Sequence, residues 1–163
     1  MLLDVKSLFS GEAREIPFSY ELDLSETRMN GGRPFVTPVA AEGRAFCSAG
    51  SVQVEVSVSF DFQAPCDRCA VLTRRRYVYQ FSHVLASSLE QEEDDYIPVE
   101  DYKLDLDELL RSDILLELPY KFLCREECKG LCPSCGKNLN EGPCGCHSRQ
   151  VDPRLEVLKK LIN

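Results

Sequence analysis

The chain has 163 residues, of which 44% are apolar and 28% charged, with nine glycines, nine prolines and no tryptophan. This composition is typical of a globular protein with a core of its own, and it excludes collagen-like, coiled-coil and wholly disordered chains. The formal net charge of −8 at pH 7 also argues against a protein that coats nucleic acid over its whole surface.

Charge is distributed unevenly along the chain. Residues 1–120 carry 22 acidic and 11 basic side chains, whereas residues 121–160 carry 5 acidic and 8 basic side chains. The C-terminal quarter is therefore better suited to contact a polyanion. The N-terminal residues lack the pattern of a secretory signal, and no stretch reaches the ~18 apolar residues that cross a bilayer. The sequence predicts a cytoplasmic protein without a membrane partner.

An apolar alternation with period two predicts antiparallel strands in the first half of the chain. Residues 16–22 show it, and between residues 52 and 62 every even position is apolar and every odd position polar. Residues 39–47 are expected to pair with this second strand through a turn at 48–51. A further strand is expected at residues 75–85, with three aromatic side chains on one face.

Two helices are predicted nearer the C-terminus. Asp105 is placed to cap a helix near residues 105–118, where leucines recur at helical spacing until a proline ends the pattern. Asp152 followed by Pro153 is typical of the start of a second helix. Between the sheet and the first helix, the acidic run at residues 90–95 indicates a solvated loop.

Eight of the nine cysteines occur in close pairs, whereas Cys47 stands alone. The pairs are Cys66 with Cys69, Cys124 with Cys128, Cys132 with Cys135, and Cys144 with Cys146. In a reducing compartment such pairs favour metal ligation over disulfides. Two thiolates on one turn reach the same ion at about 2.3 Å, and two such turns complete a tetrahedral shell. The sequence therefore predicts two zinc ions per chain, each held by four cysteine thiolates.

The spacing leaves open how the pairs combine. In our preferred arrangement the pairs at 132/135 and 144/146 share one ion, and the pairs at 66/69 and 124/128 share the other, which closes a long loop of the chain. The rival arrangement combines the pair at 124/128 with the pair at 132/135. Gly136, directly after Cys135, permits the positive φ that a zinc knuckle often needs.

Other chemistries of the cysteines and histidines are weaker hypotheses. An iron–sulfur cluster uses the same ligand type, and a redox dithiol at Cys66 and Cys69 is usually found in a strand–helix–strand unit, whereas both flanks here are strand-like. His147 is an alternative ligand, His83 suits a sheet residue better than a general base, and Cys47 is expected to be buried. Because four-thiolate shells leave no open position, the sequence indicates neither an enzyme, nor catalytic residues, nor a small-molecule substrate.

Together these elements predict an α+β protein, with an antiparallel sheet or partly open barrel, one or two packed helices and a Cys-rich zinc-binding segment. Residues 1–120 are expected to form the β-rich domain, with its helix near residues 105–118. Residues 121–150 are expected to form the Cys-rich zinc-binding segment docked on that domain. Residues 151–163 are expected to form a C-terminal helix.

Basic residues accumulate beside the cysteine segments. Six are candidates for contact with RNA or with a partner protein: Arg68, Arg74, Arg75, Arg76, Lys129 and Lys137. A zinc ion held by four thiolates carries a net charge of about −2, so these cations are equally interpreted as offsetting the metal sites. The sequence does not separate the two interpretations.

The cysteine segments resemble those of a known family. Residues 124–140, CREECKGLCPSCGKNLN, then Cys144-Gly145-Cys146 and the later Asp-Pro-Arg-Leu, are similar to the bacterial YceD family. So is the C-x-R-C form of residues 66–69 after a strand, and the resemblance extends from residue 50 onward. It implies a role in the accumulation of large-subunit (23S-type) ribosomal RNA, with no established catalytic activity.

We therefore expect a non-enzymatic, zinc-stabilised factor that supports large-subunit ribosomal RNA accumulation and ribosome assembly. Its expected partner is a ribosomal RNA precursor, a large-subunit ribosomal protein, or both, because an acidic body suits a basic protein and a more basic end suits RNA. The alternative hypothesis is a zinc adaptor that binds protein without contacting RNA. A third is a dithiol redox protein.

Overall fold

A computed structural model of the protein describes residues 1–29, 31–87 and 96–146. The chain divides into two compact units. The first contains Met1–Ala64 and Leu72–Lys121, and the second contains Pro65–Val71 and the residues after Lys121. The domain boundaries expected from the sequence, at residues 120 and 150, stay predictions.

The first unit is an α+β fold built on a curled five-stranded sheet. Its elements are β1 (Leu2–Asp4), α1 (Lys6–Phe9), β2 (Glu15–Leu22), β3 (Val39–Ser48), β4 (Ser51–Pro65), β5 (Leu72–Ala86), β6 (Tyr96–Pro98), β7 (Lys103–Asp105) and α2 (Leu106–Glu117). The strands follow the order β2-β3-β4-β5-β6, and β1 pairs with β7 in a separate two-stranded sheet. The predicted fold class is confirmed.

The predicted hairpin of β3 and β4 is present, because the two strands pair antiparallel through the turn at residues 48–51. Every even position of β4 from residue 52 to residue 62 is buried, as the alternation predicts. On β5, Tyr77 and Tyr79 lie beside the buried ring of Phe60, with centroid separations of 5.8 and 5.9 Å. The aromatic face of β5 therefore packs on the core of the first unit.

Helix α2 begins at the predicted cap. The Oδ1 atom of Asp105 accepts the backbone N–H of Asp107 at 3.0 Å, which satisfies one of the donors left open at a helix start. The helix buries Leu106, Leu110 and Ile114, the apolar stripe that the sequence indicates. Within the described residues, no helix combines the length and the hydrophobicity needed to cross a membrane.

Four short elements of the first unit are not predicted by the sequence: β1, α1, β6 and β7. Each has three or four residues, too few to display a period of two or of 3.6. One of them changes the character of the sheet, because β6 pairs parallel to β5 at residues 84–86. The sheet is thus mixed at one edge, where the sequence predicts only antiparallel pairing.

The prediction that Cys47 is buried is wrong, since its side chain is exposed. The residue lies directly before the hairpin turn at residues 48–51, where β3 leaves the covered part of the sheet. An apolar alternation alone does not show where along a strand that cover ends. The acidic run at 90–95, the helix expected at 151–163 and His147 lie outside the described residues.

Candidate metal centres

The second unit contains two Cys-x-x-Cys loops, starting at Cys66 and Cys132, with the same backbone hydrogen bonds. In each, the residue four positions after the first cysteine donates its N–H to that cysteine's carbonyl, at 2.8 and 2.9 Å. The N–H of the first cysteine donates to the carbonyl five residues further on, at 3.0 and 2.8 Å. These bonds fold each loop back on itself, so that amide N–H groups point at the cysteine sulfurs as in a zinc knuckle.

Both loops place a left-handed residue directly after their second cysteine. Gly136 has φ of 73°, as the sequence predicts for a knuckle, and Ala70 has φ of 58° at the equivalent position. This backbone conformation costs a non-glycine residue about 1–2 kcal/mol, because Cβ approaches the carbonyl oxygen. The first loop therefore keeps its knuckle geometry against a local steric penalty that the second loop avoids.

The two loops lead to opposite expectations for the same exchange of glycine and alanine. Gly136→Ala is expected to weaken metal retention at the second loop about 5- to 30-fold, the equivalent of the ~1–2 kcal/mol penalty. Ala70→Gly is expected to strengthen retention at the first loop or leave it unchanged. Zinc retention against a competing chelator measures both effects. Gly145→Ala is the control, since Gly145 has no positive φ and open space around its Cα; an equal loss there would contradict the strain argument.

The structure brings the eight paired cysteines together in two clusters within the second unit. The first sulfur cluster is Cys66, Cys69, Cys124 and Cys128, and the second sulfur cluster is Cys132, Cys135, Cys144 and Cys146. In each cluster the four Sγ atoms lie within 4.8 Å of one another. This grouping corresponds to the preferred combination of the pairs, and the rival combination is not formed.

The sulfur separations of the first cluster fit a tetrahedral metal ion. Cys66 Sγ lies 3.8 Å from Cys128 Sγ, and Cys69 Sγ lies 3.6 Å from Cys124 Sγ. Four sulfurs about 2.3 Å from a central ion are about 3.8 Å apart, whereas a disulfide requires about 2.05 Å. All nine cysteines are free thiols in the structure. A donor set of four cysteine sulfurs in this geometry is typical of a structural zinc site.

The two clusters differ in exposure. In the first cluster Cys66, Cys69 and Cys128 are buried and Leu123 packs against them. In the second cluster only Cys132 is buried, whereas two of its cysteines are exposed. The first cluster is therefore a small buried core. The second cluster is little buried, so its stability depends mainly on coordination of an ion by its sulfurs.

The cysteines do not ionise equally. Burial raises the pKa of the Cys66 thiol, but backbone N–H groups around the sulfur lower it, to about 6 overall. Backbone N–H groups of its own loop also lower the pKa of Cys132 to about 6. Burial and the neighbouring sulfurs raise the pKa of Cys124 to about 12, and Cys135 raises that of Cys146 to about 12. Each cluster thus opposes ionisation of all four of its thiols, and a divalent cation removes that repulsion.

Two side chains of the first loop preorganise the first cluster. Asp67 accepts the backbone N–H of Phe122 at 2.7 Å and donates its own N–H to the Phe122 carbonyl at 2.9 Å. Arg68 donates from Nη1 to the carbonyl of Cys128 at 2.9 Å. These bonds hold the loop at residues 66–69 against residues 122–128, so that two cysteine pairs far apart in sequence meet.

Most of the six candidate contact residues have partners inside the protein. Arg68 bonds to Cys128, Arg74 pairs with Asp61 at 2.7 Å, Arg75 bonds to Tyr77, Arg76 donates to Ser59 at 3.3 Å, Lys137 donates to the Pro143 carbonyl at 3.0 Å, and Lys129 is exposed. Contacts within the protein therefore hold the cationic heads of the five residues other than Lys129. Of the two histidines, His83 lies 2.8 Å from Asp113 of α2, a contact that fits a sheet residue.

Sequence reasoning missed one residue of the first cluster's surroundings. Asn140 donates from Nδ2 to Cys128 Sγ at 3.2 Å, and this bond lowers the pKa of the Cys128 thiol. The sequence places Asn140 between two cysteine pairs and at the end of the run 124–140 that resembles the YceD family, but it does not indicate a contact with sulfur. A hydrogen bond from a side chain to sulfur leaves no periodic pattern that could have identified it.

Residues 54–162, which include all eight paired cysteines, match the family described as large ribosomal RNA subunit accumulation protein YceD. The chain belongs to the YceD family. The match is independent of the geometry above, and it covers both sulfur clusters. The resemblance of the cysteine segments is thereby confirmed.

Relatives with this likeness occur in bacteria and in plant chloroplasts. The uncharacterised protein YlbN of Bacillus subtilis is 30% identical over 151 residues, which cover 89% of this chain and 87% of YlbN. The uncharacterised protein Rv2926c of Mycobacterium tuberculosis is 34% identical over 121 residues, which cover 69% of this chain and 58% of that protein. The chloroplastic YCED homolog 1 of Zea mays, named as a large ribosomal RNA subunit accumulation protein, is 39% identical over 57 residues, which cover 34% of this chain and 20% of that protein. No solved structure matches the chain.

Proposed function

We propose that the protein is a non-enzymatic, zinc-stabilised cytoplasmic factor that supports accumulation of large-subunit (23S-type) ribosomal RNA and assembly of the large ribosomal subunit. The observation that carries this proposal is membership of the YceD family across both sulfur clusters. Four thiolates complete the preferred coordination of zinc, so neither site offers an open position to water or substrate. This closed arrangement supports a structural role for the metal.

We propose that RNA phosphates are contacted by the exposed basic side chains, above all Arg74 and Arg76. The two alternate on the outward face of β5, and each is oriented by a side chain of β4. A guanidinium that is already held in place loses less conformational entropy when it binds a phosphate. The remaining candidates, Arg68, Arg75, Lys129 and Lys137, are secondary contacts in this proposal.

The proposal predicts co-sedimentation with large-subunit precursors and salt-sensitive binding to ribosomal RNA fragments. In the double variant R74A/R76A the slope of log affinity against log salt is expected to fall by about 2 in magnitude, one for each lost phosphate contact. R111A is the matched control, because Arg111 is an exposed arginine on α2 outside the proposed contacts. Its slope is expected to equal that of the unaltered protein.

Two results would contradict these proposals, the first that of the function and the second that of the arginine contacts. One is a protein found only in the free fractions of a sucrose gradient, with normal ribosomal RNA levels in its absence. The other is equal salt dependence in R74A/R76A and in the unaltered protein, which would exclude these arginines as phosphate contacts. Loss of binding in R111A as well would point to unspecific attraction by any positive charge.

A protein-binding zinc adaptor is the second candidate, and a groove in the first unit favours it. Residues of β2, β3, β4 and β5 line this groove, among them Glu15, Glu42 and Glu55. Arg44 pairs with two of these carboxylates, at 3.6 and 3.1 Å, and the first unit as a whole holds 21 acidic and 11 basic side chains. Such a surface suits a basic protein segment. Unchanged RNA levels together with binding to a basic ribosomal protein would support this candidate.

A further inference from the structure

The segment between the cysteine pairs of the second cluster is hydrogen-bonded to the first cluster through one side chain. Asn140 donates from Nδ2 to Cys128 Sγ at 3.2 Å, and its Oδ1 accepts the backbone N–H of Lys129 at 2.8 Å. A backbone N–H donates only to the oxygen of an amide side chain, so this second bond fixes which way the amide faces. The Nδ2 atom is therefore the one directed at sulfur.

Asn140 itself is held by the chain of the second cluster. Its Nδ2 and its backbone N–H both donate to Asn138 Oδ1, at 2.8 and 3.0 Å, within a 3-10 turn at Leu139–Glu141. The N–H of Leu139 donates to the carbonyl of Gly130 at 2.9 Å. The amide is thus a half-buried group with partners on every side, and its position depends on the order of this turn.

The turn lies inside the loop that the second cluster closes. Cys135 precedes it and Cys144 follows it, and both belong to that cluster. The N–H of Cys132 donates to the carbonyl of Lys137 at 2.8 Å, so the start of the loop is fixed to the knuckle. A metal at the second cluster closes this loop and restricts the backbone of residues 136–143. Less conformational entropy is then lost when Asn140 is positioned than in the open loop.

We propose that Asn140 is a positioning residue that couples metal binding at the two sulfur clusters. This inference rests on the proposed zinc sites. Metal at the second cluster orders the turn that presents Nδ2 to Cys128, and this raises the metal affinity of the first cluster. By linkage, metal at the first cluster raises the affinity of the second by the same factor. Hydrogen bonds that orient a metal ligand typically change metal affinity about 10- to 100-fold.

A thermodynamic cycle on the full chain measures this coupling. Chelator competition gives the zinc affinity, and native mass spectrometry counts the bound ions. Three proteins are compared: the unaltered chain, C144S/C146S, which retains the first cluster, and C66S/C69S, which retains the second. The coupling factor is the overall two-ion constant divided by the product of the two single-cluster constants. It is expected to be on the order of 10 in the unaltered chain and to fall to about 1 when N140A is introduced throughout.

Two further variants separate positioning from general loop stability. N140D keeps the oxygen that accepts the Lys129 N–H but replaces the donor to sulfur with an anion, so it is expected to lose the coupling as N140A does. S134A alters an exposed residue between Cys132 and Cys135, at the same cluster but outside the turn that holds Asn140, and is expected to retain the coupling. Amide hydrogen exchange at residues 124–130 reports the same effect without removing a cysteine, and protection there is expected to fall in N140A at saturating zinc.

Failure of the coupling through Asn140 can be distinguished from failure of the proposed zinc-stabilised function. A coupling factor of about 1 in the unaltered chain, or an unchanged factor and unchanged exchange in N140A, overturns the role of Asn140 while leaving two zinc sites intact. An unaltered chain that binds no zinc overturns the metal sites themselves. Equal loss of coupling in S134A would overturn the role of Asn140, because it would show that any change at the second cluster, and not this amide, alters the coupling.

Discussion

Complete removal of metal is expected to unfold the described part of the second unit and to leave the first unit folded. The reason is the composition of the interior: among the described residues of the second unit, the buried hydrophobic side chains are four cysteines and one phenylalanine, Phe122. One phenyl ring cannot offset the conformational entropy of ordering more than thirty residues. The first unit, in contrast, buries valines, leucines and phenylalanines from six or more elements and needs no metal for its core.

Hydrogen exchange with and without a chelator measures this difference. The untreated protein is expected to hold two zinc ions per chain, and their loss is expected to abolish protection at residues 66–71 and 122–146 but not in β3 and β4. Structural zinc sites in small domains contribute about 10–16 kcal/mol of apparent binding free energy, so the effect is close to all or none. C47S is the control, because Cys47 is exposed and outside both clusters. A metal-free second unit that keeps its protection would contradict the prediction.

The parts of the fold that could be predicted are those with long, regular patterns. The fifteen residues of β4 and the twelve of α2 repeat their apolar spacing often enough to be recognised, and Asp105 marks the start of α2 by its capping chemistry. The three-residue strands β1, β6 and β7 exist because of partners distant in the chain. No local pattern encodes such a pairing, so it could not be predicted.

The candidate site also has features that the sequence predicts and features that it does not. Spacing alone shows which cysteines are near neighbours, and the knuckle at Cys132 follows from its Pro-Ser-Cys-Gly sequence. The choice between the two combinations of pairs depends on long-range hydrogen bonds, such as that of Asp67 with Phe122 and that of Arg68 with Cys128. The sequence indicates Arg68 as a contact for RNA or a partner, yet its guanidinium donates to the carbonyl of Cys128, a residue of the first cluster. A basic residue next to a metal site can contact RNA or a partner, or it can stabilise the site by a hydrogen bond. The sequence alone does not distinguish these two roles.

Gly43→Ala is expected to destabilise the first unit by about 3 kcal/mol or more, a larger effect than most core substitutions produce. Gly43 lies in the middle of β3, opposite Phe18 of β2 and Val56 of β4. A Cβ at this position would overlap the carbonyl oxygen of Glu55 and would lie 2.8 Å from the ring of Phe18 and 2.9 Å from the Cα of Val56. Two of these three obstacles are backbone atoms, which cannot rotate away as a side chain can.

Relief would require β3 and β4 to separate, and that would break the hairpin at the centre of the sheet. Because Gly43 has no side chain, the Phe18 ring can pack on the backbone at the point where three strands lie close together. With a urea dependence of about 1–3 kcal/mol per molar, the unfolding midpoint is expected to fall by about 1 M or more. Circular dichroism in excess zinc measures it while the second unit stays folded.

Gly32→Ala is the matched control for this experiment. Gly32 is not at a positive φ, and a Cβ there would meet only the Met29 carbonyl oxygen at 3.8 Å, which is ordinary contact. The free energy of unfolding of Gly32→Ala is expected to stay within about 0.5 kcal/mol of that of the unaltered protein. Adding F18A to G43A is expected not to restore stability, because the overlap with the Glu55 carbonyl remains. Full recovery in that double variant would show that the ring, and not the neighbouring strand, is what excludes a side chain at Gly43.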